Sequence, residues 1–265
     1  MPDVQAADLS ILLIEPSEVQ RKVIKRHLAE AGITNVDGAA CISEAQQKIK
    51  TLQPDIIASA MYFEDGTAHD LLHYIHEQGL AEDIGFMLVS SEYRDDQLEE
   101  FKQAGIIAIL PKPFTSVQLQ RAVNASIDLI EPTALRLQNF DPEDLSVLLV
   151  DDSVTSRHFL KRILADLGID NFSEAENGQQ AMEILQQQTF DLVVTDFHMP
   201  HMNGRELAEF IRQTPGLSHI PILMVTARAS SPQLANIKQS GVDALTDKPF
   251  EPATLRNLLA RLLDQ

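Results

Sequence analysis

The chain has 265 residues, 44% of them hydrophobic, enough for two ordinary domains with their own cores and too apolar for a disordered polymer. Its formal net charge of −18 is shared by both halves, with 21 acidic against 10 basic side chains in residues 1–131 and 18 against 11 in residues 132–265. Nothing here suits a nucleic-acid backbone, which needs clustered Lys and Arg. The apolar run near the N-terminus is too short for a leader or a membrane span, so no membrane is expected as a partner and the protein is expected in the cytoplasm. A single cysteine, Cys41, excludes an internal disulfide and reads as a small packed residue.

From the N-terminus, short apolar runs alternate with helical patterns. Residues 1–131 contain predicted strands ILLIE (11–15), VDGA (36–39), DIIASA (55–60), FMLVS (86–90) and IIAIL (106–110). Residues 132–144, with Pro132 and Pro142 among mixed polar side chains, read as a linker. Residues 145–265 repeat the series with VLLVD (147–151), FSEA (172–175), DLVVTD (191–196), PILMVT (221–226) and DALT (243–246). Continuous rather than alternating Val, Ile and Leu suits parallel strands covered by helices on both faces. Gly32, Gly105, Gly168 and Gly241 fall where helices should stop. The predicted fold class is α/β, two doubly wound five-stranded parallel sheets in tandem.

The two halves are a duplication, because one offset of 136 residues aligns them almost throughout. Ser17 falls on Ser153, Asp55 on Asp191, and Lys112-Pro113-Phe114 on Lys248-Pro249-Phe250. The visible slip follows the third strand, where EDG is shorter than PHMNG.

In an open parallel sheet, functional groups gather at the carboxyl ends of the strands. The second half puts Asp151 and Asp152 at the end of its first strand, Asp196 at its third, Thr226 at its fourth and Lys248 just past its fifth. Three converging carboxylates repel one another and call for a cation. An all-oxygen set suits Mg²⁺ rather than zinc. A carboxylate can attack phosphorus to form an acyl phosphate when cations neutralise the phosphoryl oxygens, with Lys248 as one such cation and the Thr226 hydroxyl as a donor. His198 and His201 have an H-x-x-H spacing, but in a loop without cysteine or a third histidine it reads as no transition-metal site.

The stretches LLVDDS (148–153), VVTDFHMP (193–200) with Asn203-Gly204, MVTA (224–227) and DKPF (247–250) resemble the receiver domain of two-component response regulators, a flavodoxin-like fold. The resemblance covers nearly all of residues 145–265. It implies that Asp196 is the phosphoacceptor and that Asp152, Asp196 and the His198 backbone carbonyl hold Mg²⁺ directly, with Asp151 acting through water. It implies a cis peptide between Lys248 and Pro249. The implied phosphodonor is a phosphohistidine on a sensor histidine kinase or a histidine phosphotransfer protein. His198 and Arg228, two residues past Asp196 and Thr226, are expected to slow hydrolysis of the acyl phosphate. Leu245, and Ile109 in the first half, stand where this family often carries a switch aromatic, so an aromatic rotamer flip is not expected.

The first half keeps the frame and loses the chemistry. Glu15-Pro16 replace Asp151-Asp152 and Ala60 replaces Asp196, while Ser90 and Lys112 remain. Glu15 and Lys112 can neutralise each other, and Glu64 and Asp65 read as solvated loop residues rather than substitute ligands. The expected function is a response regulator without enzyme turnover beyond slow self-dephosphorylation, its first half a pseudo-receiver that docks a partner or a second copy of the chain. The expected docking surface is the fourth and fifth helices with the fifth strand, which offer Tyr93, Leu98, Phe101, Ile109, Val117 and Val123, some of them necessarily core. The alternatives are a scaffold in which both halves dock partners, or the regulatory part of a longer regulator whose effector domain is absent.

Overall fold

A computed structural model describes residues 6–81, 83–92, 95–227 and 240–264. The chain forms two compact units, one of residues 1–101 and 106–131, the other of residues 102–105 and 132–265.

The first unit runs β1 (Ser10–Ile14), α1 (Glu18–Glu30), β2 (Asn35–Ala39), α2 (Ile42–Leu52), β3 (Ile56–Ser59), β4 (Tyr62–Phe63), β5 (Gly66–Thr67), α3 (Ala68–Glu77), β6 (Gly85–Ser90), α4 (Asp95–Gln103), β7 (Ala108–Pro111) and α5 (Ser116–Ile130). Five strands form one parallel sheet in the order β2-β1-β3-β6-β7. Ile11, Leu12, Leu13 and Ile14 are all buried, as strands with helices on both faces require. Side-chain caps begin the helices: Ser17 Oγ accepts the Gln20 N–H, and Thr67 with Asp70 and Thr115 with Gln118 form reciprocal capping boxes.

The second unit contains β8 (Ser146–Val150), α6 (Val154–Asp166), β9 (Asn171–Ala175), α7 (Gly178–Leu185), β10 (Leu192–Asp196), α8 (Gly204–Gln213), β11 (Ile222–Thr226), β12 (Ala244–Asp247) and α9 (Pro252–Leu263). Its parallel sheet has the order β12-β11-β10-β8-β9, the same topology as the first. The duplication extends to a staple at the amino ends of the central strands. Asp55 Oδ2 accepts the Ser10 N–H at 2.7 Å, and Asp191 Oδ2 accepts the Ser146 N–H at 2.9 Å.

Strand ends differ from the sequence expectation by one or two residues, and larger details differ as well. The first strand of each unit stops one residue earlier, because the acid after it turns the chain: Glu15 Oε1 accepts the Ser17 N–H at 3.0 Å and Asp151 Oδ1 the Ser153 N–H at 2.9 Å. The segment expected as a linker packs on the second unit, with Leu135 buried, its N–H bonded to Leu167 O at 3.0 Å, and the Gln138 N–H bonded to Asp264 Oδ1 at 2.8 Å. The EDG slip is an unanticipated hairpin, β4 paired antiparallel with β5, closed by Gly66 at φ 147°, a conformation that favours glycine.

Candidate functional site

The chain leaves β8 through α6 to β9 on one side and returns to β10 on the other, so a crevice opens at the carboxyl ends of β8 and β10. Register then decides which side chains meet there. Thr195 pairs with Val150, Asp196 with Val225, and Thr226 with Asp247, which brings the ends of β8, β10, β11 and β12 into one row.

Asp151, Asp152 and Asp196 each present a carboxylate oxygen within 4.8 Å of the others. Asp151 and Asp196 are buried and Asp152 is exposed. Lys248, only 2% exposed, places Nζ 2.6 Å from Asp151 Oδ2 and 3.6 Å from Asp196 Oδ2. Asp196 also accepts the Phe197 N–H on Oδ1 at 2.8 Å. Burial pushes the Asp196 carboxyl up to about 6; Lys248 opposes the rise and the Asp151 charge adds to it. Asp152 is likewise raised, by partial desolvation and then by the Asp151 charge. Three acids facing one lysine leave an excess of negative charge at the crevice, and their hard oxygen donors fit Mg²⁺.

The approach of α8 tightens the site. A Cβ on Gly204 would lie 2.2 Å from the Asp196 carbonyl oxygen, so only glycine lets the helix start this close. Asn203 caps α8, with Glu206 completing a capping box. Thr226 is fully buried at the end of β11, and its carbonyl accepts the Lys248 N–H at 2.8 Å. The Lys248–Pro249 peptide is cis, and so is Lys112–Pro113. His198 lies edge-on to Phe197, with ring centroids 4.6 Å apart. Arg228 lies outside the described residues.

Sequence reasoning missed two contributors. Ser156 Oγ donates to Asp151 Oδ2 at 2.7 Å, and Arg157 Nη1 donates to the Asp151 carbonyl at 2.6 Å. Both lie in the first turn and a half of α6, where the inward helical face offered a signal.

In the first unit the corresponding strand ends carry one ion pair and apolar groups. Glu15 is buried and takes Lys112 Nζ at 2.5 Å, and Lys112 also donates to Gln20 Oε1 at 3.0 Å. Ala60 is buried, and Ser90 Oγ donates to Met61 Sδ at 3.6 Å, so the surviving hydroxyl faces a thioether. Asp65 is no ligand. Its carboxylate accepts the N–H groups of Ile42 at 3.0 Å and Ser43 at 2.9 Å, capping α2, whose own N-cap Cys41 contributes no side-chain bond. Those backbone bonds hold the Asp65 carboxyl down at about 2. Glu64 is exposed beside it. Of the docking residues named above, Leu98, Phe101 and Val123 are buried, Ile109 is half-buried, Val117 is exposed, and Tyr93 lies outside the described residues.

The family model for the response regulator receiver domain matches twice, at residues 11–124 and 147–260. The chain belongs to the response regulator receiver domain family. Its receivers are two in tandem, and it is a response regulator of two-component signalling, a class that is generally not enzymatic and that interacts with histidine kinases or phosphotransfer proteins. Relatives include the chemotaxis protein CheY-3 of Vibrio cholerae, 40% identical over 123 residues, 46% of this chain and 95% of that one. The chemotaxis protein CheY of Pseudomonas aeruginosa is 37% identical over 121 residues, 46% of this chain and 98% of that one. Among solved structures, the receiver domain of the sensor histidine kinase PA1611 from Pseudomonas aeruginosa PAO1, described with a magnesium ion in its active-site cleft, is 26% identical. It covers 46% of this chain and 98% of that one, at a TM-score of 0.43. Among the described residues, no helix is long and apolar enough to cross a membrane.

Proposed function

We propose that the second receiver accepts a phosphoryl group on Asp196 from a histidine kinase or a histidine phosphotransfer protein, and that the first receiver is a pseudo-receiver serving as a docking or dimerisation module. The observation that carries this reading is the asymmetry of the two crevices: three acids around Lys248 in the second, and one Glu15–Lys112 pair beside Ala60 and Met61 in the first.

Asp151, Asp152 and Asp196 are the residues that would hold Mg²⁺, with the His198 backbone carbonyl as a further ligand. When bound, the ion supplies positive charge against the phosphoryl oxygens. Asp196 is the nucleophile, and its carboxylate must be ionised to attack. Lys248 turns its ammonium toward the incoming group and offsets charge that builds in the transition state. Thr226 donates its hydroxyl to a phosphoryl oxygen. His198, with Arg228 beyond the described residues, shields the acyl phosphate from water and sets its lifetime.

The test is labelling of the full chain with acetyl phosphate and Mg²⁺, followed by reductive trapping and mass spectrometry. One modified residue, Asp196, is expected, and Asp196→Ala should abolish it. Ala60→Asp alone should add no second label, because Glu15, Pro16 and Met61 stay in place. Label on the first receiver, or label surviving in Asp196→Ala, would overturn the reading. A chain without residues 1–131 should keep the label and lose partner binding or self-association; unchanged partners and unchanged mass in solution would remove the docking role.

A further inference from the structure

We infer that Arg157 and Glu174 form a positioning clamp that aims Asp152 toward the divalent cation, a role that rests on the phosphoacceptor reading above. Arg157 Nη1 grips the carbonyl of the peptide that joins Asp151 to Asp152, at 2.6 Å. A peptide is planar, so fixing that carbonyl fixes the direction of the Asp152 N–H and the plane from which the residue departs. Asp151 has other restraints, since its carboxylate is bonded to Ser153 N, Ser156 Oγ and Lys248 Nζ. Asp152 stands exposed at the turn, and the peptide it hangs from sets the backbone direction from which its side chain departs.

The guanidinium is itself held from the neighbouring strand. Arg157 is buried, its Nε donates to Glu174 Oε2 at 2.8 Å, and the other Glu174 oxygen takes Lys161 Nζ at 2.7 Å. Burial would raise the Glu174 carboxyl, but the bonds from Lys161 and Arg157 outweigh it and hold the group below its usual range. A buried guanidinium this close to a cation site would oppose the cation if uncompensated, and Glu174 supplies the opposite charge.

The duplication provides an internal comparison. Arg21, the counterpart of Arg157, also donates to the carbonyl of its acid, Glu15. Gly38 stands in the place of Glu174, and a Cβ there would come within 3.0 Å of Arg21 Cδ. The residue after Glu15 is Pro16, whose ring fixes φ and which carries no carboxylate to aim. The bond from arginine to carbonyl therefore goes with the turn, and the glutamate goes with the pair of acids.

The experiment is Mg²⁺ titration of the full chain by calorimetry, for wild type, Glu174→Gln and Arg157→Lys, with melting in the absence of Mg²⁺ alongside. Residues behind the ligands set metal affinity by about 10- to 100-fold. Glu174→Gln is expected to weaken Mg²⁺ binding about tenfold and to lower the metal-free melting temperature by about 3–6 °C, since Arg157 loses its compensating charge, without unfolding the domain. The labelling rate at saturating Mg²⁺ should stay within about twofold of wild type. Arg157→Lys should weaken binding as well, because one ammonium cannot reproduce the planar fork that reaches carbonyl and carboxylate together. Variants that bind Mg²⁺ as tightly as wild type would overturn the clamp, and so would an affinity loss matched by a collapse of metal-free stability. A wild-type chain that binds no Mg²⁺ would overturn the phosphoacceptor reading itself, and the clamp with it.

Discussion

Lys112 Nζ lies 2.5 Å from Glu15 Oε2, so the ammonium that a phosphoryl pocket would require is engaged with a carboxylate of its own unit. Removing one partner of such a pair leaves the other charge uncompensated, at a cost of about 3–5 kcal/mol when both are fully buried. Lys112 is partly exposed, so Glu15→Gln is expected to cost about 2 kcal/mol, with solvent screening the remainder. Urea unfolding of the full chain measures this. An unchanged midpoint for the first receiver would show that the pair contributes nothing.

The Asp196 carboxyl is pushed up to about 6, chiefly by burial. Between the ordinary carboxylate range and pH 6 the folded chain holds this proton and the unfolded chain does not. Its contribution to stability therefore falls as pH rises through that window and is flat above it. In metal-free protein, Asp196→Asn should raise stability at pH 7.5 by on the order of 2 kcal/mol, with the advantage shrinking as pH falls from about 6 toward 4. Denaturant melts of both proteins across that range would reveal it. An advantage that grows on acidification has the wrong sign.

Mg²⁺ binding to the folded state alone stabilises it by mass action, by about 2.7 kcal/mol at a hundredfold excess over Kd. One melting transition of the full chain should rise with Mg²⁺, and Asp152→Asn should abolish the rise. Glu15→Gln should leave the rise intact, since the first crevice offers no three-acid group among the described residues. A Mg²⁺ shift that survives Asp152→Asn would point to ligands elsewhere in the chain.

The order of apolar runs, the 136-residue offset and the placement of Asp151, Asp152, Asp196, Thr226 and Lys248 at strand ends were legible in one dimension. A parallel sheet converts sequence period directly into position, because each strand delivers its last residue to the same edge. The loss of Asp196's counterpart at Ala60 was equally plain.

What depended on direction rather than order required the tertiary structure. Ser156 and Arg157 look like ordinary helix residues until α6 packs and turns them toward Asp151. Asp65 reads as a solvated loop acid, yet the β4–β5 hairpin carries it to the open N–H groups of α2. Leu98, Phe101 and Val123 share an apolar character with the exposed Val117, and packing alone consigns them to the core. Sequence alone determined two receiver frames and the acids that face one crevice, because strand topology orders them. Side-chain aim, such as that of Arg157 toward the Asp151 carbonyl and of Ser90 toward Met61, was decided only where helices and loops met the sheet.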